Sequence, residues 1–73
     1  MVNINKLKGT IVEKGFTART LSNKIGIDKS TFYNKINQNG LSFTIREASA
    51  IIKTLNLSQD EIITIFFADE VAQ

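Results

Sequence analysis

The sequence predicts an all-α fold, a compact unit of five helices that forms a single domain over residues 1–73. Three observations predict it. No alternation of apolar and polar residues runs longer than a few positions, proline is absent, and capping residues recur before apolar side chains spaced three or four apart. A chain of this length buries only about 60% of the surface that it exposes when unfolded, so it has room for one core.

Polar caps and glycines delimit the first three predicted helices. Asn3, Thr17 and Asp28 each precede an apolar pattern, and their side chains can accept a hydrogen bond from a free backbone amide. Gly15 and Gly26 supply the left-handed residue that ends the first two helices, and "NQNG" ends the third. The apolar positions are Ile4, Leu7 and Ile11 in the first helix, Leu21 and Ile25 in the second, and Phe32 and Ile36 in the third.

Two capping boxes open the fourth and fifth helices. Thr44 is followed three residues later by Glu47, and Ser58 by Glu61, the spacing at which each side chain bonds the other's backbone amide. Helix five is apolar nearly all round, which indicates burial on more than one side. We assign Ile62, Ile63 and Phe66 to the core, and Ile65 and Phe67, with Val71 of the tail, to a dimer or partner surface. The alternative is that all the large side chains of this helix are plain core.

The composition excludes most chemistry available to a small domain. The chain has no cysteine and no histidine, so it can form no disulfide, thiolate nucleophile, imidazole base or cysteine/histidine zinc site. Its adjacent carboxylates diverge by about 100° on a helix, and no glycine-rich phosphate loop is present. We expect no enzyme activity, no cofactor and no metal. No segment is typical of a signal peptide or a membrane span, which favours a cytoplasmic protein without a membrane partner.

The two halves of the chain carry opposite charge. Residues 1–40 contain seven basic and two acidic side chains, a net charge of +5, and residues 41–73 contain two basic and five acidic ones, a net charge of −3. A basic half suits a polyanion such as nucleic acid or an anionic membrane surface, and an acidic half would keep away from it and orient the protein. The alternative is a set of solvated helix faces whose charges differ by chance.

The segment "SNKIGIDKSTFYNKINQNG", residues 22–40, predicts two short helices joined by a turn at Gly26. If Phe32 and Ile36 point inward, the outer side of the second helix carries a row of side chains that can all donate hydrogen bonds. This row consists of Lys29, Ser30, Tyr33, Asn34 and Asn37. The alternative is that they are ordinary solvated side chains on a helix surface.

The sequence from Phe16 to Gly40, "FTARTLSNKIGIDKSTFYNKINQNG", resembles the helix-turn-helix of the phage Cro and lambda-repressor-like (XRE-type) transcriptional regulators. That family places a leucine, a small residue, aliphatics and a glycine where this chain has Leu21, Ser22, Ile25, Gly26 and Ile27. The resemblance implies a lambda-repressor-like DNA-binding domain in which helices two and three, about residues 17–37, form the helix-turn-helix. It extends more loosely over all five helices.

The resemblance also implies roles for individual residues, with the third helix in the major groove of DNA. The base-reading candidates are Lys29, Ser30, Tyr33 and Asn34. The phosphate-binding candidates are Thr17, Arg19, Lys24, Lys35, Asn37 and Asn39. The chain departs from the family pattern at Ala18, where a phosphate-clasping glutamine is usual, and at Ser22, where alanine is usual. A buried Ser22 hydroxyl would need a backbone carbonyl as its partner.

We therefore expect sequence-specific binding of double-stranded DNA by a small phage or prokaryotic regulator, which represses transcription by occupying an operator. A homodimer on a palindrome would bind half-sites about 34 Å apart. The alternative is a protein-interaction module or antirepressor of the same fold that binds another repressor. Three features are consistent with that alternative: Ala18, the acidic second half and the apolar fifth helix.

Overall fold

A computed structural model describes residues 2–68, and in this part of the chain all regular secondary structure is helical. The five helices are α1 Ile4–Glu13, α2 Ala18–Ile25, α3 Lys29–Asn37, α4 Ile45–Leu55 and α5 Gln59–Phe66. The all-α prediction with five helices is confirmed. Across residues 2–68, none of these helices is long and apolar enough to cross a membrane.

Each helix begins at the cap that the sequence predicts. The Asn3 carboxamide oxygen accepts a hydrogen bond from the backbone amide of Lys6 at 3.1 Å, and a carboxylate oxygen of Asp28 accepts one from the amide of Ser30 at 2.9 Å. The capping boxes of α4 and α5 are both complete. Thr17 forms a further capping box, with Thr20, at the start of α2.

The core joins all five helices around a set of large aliphatic and aromatic side chains. α2 packs against α3 and α4, and α1 packs against α5. The ring of Phe32 lies 5.8 Å from the ring of Phe43, which extends the core under the α3–α4 loop. The buried apolar residues are Leu7, Ile11, Leu21, Phe32, Ile36, Ile51, Leu55, Leu57 and Ile65.

Helix α5 packs Ile62 and Phe66 against the core, as predicted, but its most deeply buried residue is Ile65. Ile65 is fully buried, and its carbonyl accepts a hydrogen bond from the backbone amide of Asn3 at 2.7 Å, so the prediction that Ile65 faces a partner is wrong. The three residues assigned to the core, Ile62, Ile63 and Phe66, are half-buried. Docking against α1 sets the rotation of α5. Phe67 is 51% exposed and stays available to a partner, and Val71 lies outside the described residues.

Candidate nucleic-acid interface

The turn between α2 and α3 holds the two helices against each other. Gly26 has a φ of 79°, in the left-handed region that a side chain resists, and the amide of Ile27 donates to the carbonyl of Ser22 at 3.0 Å. Leu21 and Phe32 are buried at the contact between the helices. These features fix where α3 lies relative to α2.

Ser22 is fully buried at this junction without an unsatisfied polar atom. Its hydroxyl donates to the carbonyl of Arg19 at 2.9 Å, which is the backbone partner that the sequence requires for a buried hydroxyl here. The small side chain therefore occupies the interior at little cost. The departure from alanine leaves the α2–α3 contact intact.

The outer side of α3 brings together the side chains predicted to read bases. Lys29, Ser30 and Asn34 are exposed, and Tyr33 is 46% exposed. The ammonium nitrogen of Lys29 lies 5.9 Å from the centre of the Tyr33 ring, within the range of a cation–π contact. Asn37 extends the row at the last residue of α3. The face thus combines a cation, an aromatic ring and two amides.

Ser30 takes part in the cap of its own helix. Its hydroxyl donates to a carboxylate oxygen of Asp28 at 2.7 Å, and its backbone amide donates to the same oxygen at 2.9 Å. The hydrogen bond from the Ser30 hydroxyl, followed by the one from its amide, lowers the pKa of Asp28 below its usual value of 3.8. With its proton directed at Asp28, the Ser30 hydroxyl offers a ligand an acceptor oxygen.

The start of α2 exposes the side chains predicted to hold phosphate. Thr17 and Arg19 are exposed, and the Thr17 hydroxyl accepts from the amide of Thr20 at 3.1 Å. The amides of the first two helical residues have no intrahelical acceptor because they precede the first turn. Lys24 is exposed in the last turn of α2, and Asn39 is exposed in the loop after α3 with a φ of 59°.

The Lys35 side chain is bonded within the protein, which corrects its assignment to phosphate binding. Its ammonium nitrogen donates to the carbonyl of Ser42 at 2.9 Å and lies 3.1 Å from a carboxylate oxygen of Glu47. The same Glu47 oxygen accepts from the amide of Thr44 at 2.9 Å. That amide, and then Lys35, lower the pKa of Glu47 below its usual 4.5 against the opposing effect of burial. Lys35 therefore anchors the α3–α4 loop to α4.

Helix α1 adds residues to this side of the molecule that sequence reasoning missed. A groove of about 200 Å³ runs between α1, the start of α2 and α3. Its lining comprises Lys8, Ile11, Val12, Thr17, Ala18, Phe32, Tyr33 and Ile36. Lys8 and Val12 are one helical turn apart, a spacing visible in the sequence, but only the packing of α1 beside α2 and α3 reveals their position.

Several large apolar side chains remain exposed. Val12, Leu41 and Phe67 are each more than half exposed, and Ile45, the first residue of α4, is 88% exposed.

Across residues 2–68, histidine, cysteine and acidic side chains form no group of three or more that could hold a metal ion.

No protein-family model matches the sequence, and no similar curated protein or solved structure was found.

Proposed function

We propose that this protein binds double-stranded DNA in a sequence-specific manner, with α2 and α3 acting as a helix-turn-helix of the lambda-repressor type. The observation that carries the proposal is the exposed row on α3, in which Lys29, Ser30 and Asn34 are open to solvent while Phe32 and Ile36 of the same helix are buried. A helix of this kind fits the major groove of B-DNA, which is about 12 Å wide.

The side chains of the row match the groups on base edges. A lysine donates to O6 and N7 of guanine, and an asparagine pairs bidentately with N6 and N7 of adenine. The Ser30 hydroxyl, whose proton is directed at Asp28, presents its oxygen as an acceptor for the amino group of cytosine or adenine. We expect Lys29 and Asn34 to contribute most of the sequence preference.

Phosphate contacts then position α3 in the groove. Thr17, Arg19 and Lys24 are exposed on α2, and Asn37 and Asn39 are exposed at the far end of α3. These two groups flank the base-reading side chains, and phosphate contacts on both sides fix orientation without carrying sequence information. The net charge of +5 over residues 1–40 supports the same orientation on DNA.

A dimer on a palindromic operator would double these contacts, and the proposal includes repression by operator occupancy. Of the predicted pairing surface, Phe67 is exposed within the described residues. Its ring is suited to a contact between two copies that forms on DNA.

The experiment that tests the proposal is selection of bound sequences from a random duplex pool, followed by titration of the selected duplex at rising salt. We expect a palindromic consensus whose half-sites are one helical turn apart, and a steep loss of affinity with salt. A pool without enrichment, or binding that does not respond to salt, would contradict DNA recognition.

A second candidate, a protein-interaction module or antirepressor, is favoured by the exposed apolar side chains. Phe67 and Val12 lie outside the polar face of α3, and a repressor protein could pack on either one. The two candidates are separated by comparing the variant Phe67→Asp with the double variant Lys29→Ala/Asn34→Ala. A protein partner would be lost in the first variant, and a selected DNA duplex in the second.

A further inference from the structure

We propose that the ammonium group of Lys8, in α1, binds a DNA phosphate beside the start of α2, where Ala18 offers no side-chain donor. The inference rests on the proposed DNA-binding function. It adds to that function a cation from a helix outside the helix-turn-helix, ten positions before Ala18 in the sequence.

The position of Lys8 is the first support. Lys8 lines the same groove as Thr17, Ala18 and Tyr33, so the fold brings α1 next to the end of α2 that faces the proposed DNA backbone. Lys8 is itself exposed, so its flexible side chain is accessible to a phosphate from solvent. The Tyr33 ring forms another part of the same groove, which connects Lys8 to the base-reading side of α3.

The charges around the groove are the second support. No acidic side chain contributes to its lining, so no carboxylate there competes for the Lys8 ammonium group or repels a phosphate. Two other lysines differ in this respect, since Lys14 lies 3.4 Å from Glu61 and Lys35 lies 3.1 Å from Glu47. Lys8 therefore keeps its charge available to a polyanion, whereas Lys14 and Lys35 use theirs within the fold.

The chemistry at the start of α2 is the third support. Ala18 offers only its backbone amide, and the Thr17 hydroxyl already accepts from Thr20. A phosphate at the start of α2 therefore finds no charged side chain at Ala18. A lysine acts as a point charge with three donors and needs no exact planar geometry, so an amine that reaches across from α1 can fill this role.

The test measures the affinity of four proteins for a short labelled duplex of mixed sequence at a series of salt concentrations. They are the wild type, Lys8→Gln, Lys8→Arg and the control Lys6→Gln. Lys6 is exposed on the same helix but lines a different groove, with Asn5, Gly9, Thr10 and Glu13. Both glutamine variants remove one positive charge. A difference between their affinities for the duplex therefore reflects where the lysine lies and not the net charge of the protein.

We expect Lys8→Gln to reduce the slope of log affinity against log salt by about 0.9, and to weaken binding about five- to tenfold at low salt. Lys8→Arg should keep the wild-type slope, and Lys6→Gln should lie close to the wild type. A wild-type slope in Lys8→Gln, or an equal loss in Lys6→Gln, would overturn the Lys8 contact while leaving DNA binding in place. If the wild type itself fails to bind the duplex, the proposed function fails, and the Lys8 contact fails with it.

Discussion

Two regions of the described chain, residues 2–40 and residues 41–68, differ in the contacts that their charged side chains make. In the second region, Glu47 and Glu61 each complete a capping box and pair with a lysine of the first region, Lys35 and Lys14. In the first region, Lys29 stays exposed on α3, as do the basic side chains of α2. Glu47 and Glu61 thus stabilise helix ends and inter-helix contacts, while Arg19, Lys24 and Lys29 remain exposed and available to a ligand.

The largest expected effect lies on the exposed face of α3. The double variant Lys29→Ala/Asn34→Ala should lower affinity for the selected duplex by at least about 30-fold, because each bidentate base contact contributes about 1–3 kcal/mol. The matched control is Lys53→Ala/Gln59→Ala, which removes an exposed lysine and an exposed amide from the second region. Fluorescence anisotropy with the selected duplex measures both. Equal losses of affinity in the two double variants would show that the exposed face of α3 contributes no more to DNA binding than the second region does.

The next effect concerns Lys35, whose side chain is bonded to Ser42 and Glu47. Lys35→Met should lower the free energy of unfolding by about 1–2 kcal/mol, because it leaves the largely buried Glu47 carboxylate without its ion-pair partner. Lys24→Met, at an exposed lysine of α2, should change it by less than about 0.5 kcal/mol. Urea unfolding measures both variants. If Lys24→Met proves as destabilising as Lys35→Met, the two lysines have the same role.

A smaller effect should appear in the dependence of stability on pH. The hydrogen bond from the Thr44 amide, and then Lys35, lower the pKa of Glu47 below 4.5 in the folded protein. Since the unfolded chain binds the proton more readily, the stabilisation is complete above pH 4.5 and is lost as pH falls through the lower folded pKa. Urea midpoints measured from about pH 5 to about pH 3 should fall in the wild type.

Glu47→Gln is the control for this pH dependence. It keeps a side chain that can complete the capping box but has no carboxyl to titrate. Its urea midpoint should fall less steeply with pH than that of the wild type, although Asp28 and Glu61 still contribute, because hydrogen bonds lower the pKa of each. An identical decline in both proteins would show that Glu47 does not contribute to acid sensitivity.

The last effect concerns Phe67. Because about half of its side chain is buried and it lies at the C-cap of α5, where a negative charge is unfavourable, Phe67→Asp should lower the free energy of unfolding by about 1 kcal/mol. The same variant should weaken binding to a palindromic duplex and leave binding to a single half-site unchanged, as gel-shift titration would measure. Equal binding of both duplexes by the variant and the wild type would exclude Phe67 from the contact between copies.

The sequence predicted the helix starts well because capping is local. Asn3, Thr17, Asp28, Thr44 and Ser58 all cap the helices that they were expected to cap, through partners two or three residues away. The order and number of helices follow from these signals. Such contacts need no knowledge of how distant parts of the chain pack.

The failures arise where a distant element decides the outcome. α5 is apolar on most sides, so its sequence could not reveal that α1 would cover Ile65. Lys35 looked available because its acceptor and its ion-pair partner, Ser42 and Glu47, belong to a loop and to another helix. Lys8 was not predicted as a site residue because only the packing of α1 against the other helices places it beside the start of α2.

The most direct measurement of the central claim is the change in backbone amide chemical shifts when the selected duplex is added to isotope-labelled protein. DNA binding through α2 and α3 predicts the largest changes over residues 29–37 and at the start of α2, small changes in α4, and a separate set at Phe67 from the contact between copies. Changes concentrated around Phe67, with the amides of α3 unmoved, would contradict it.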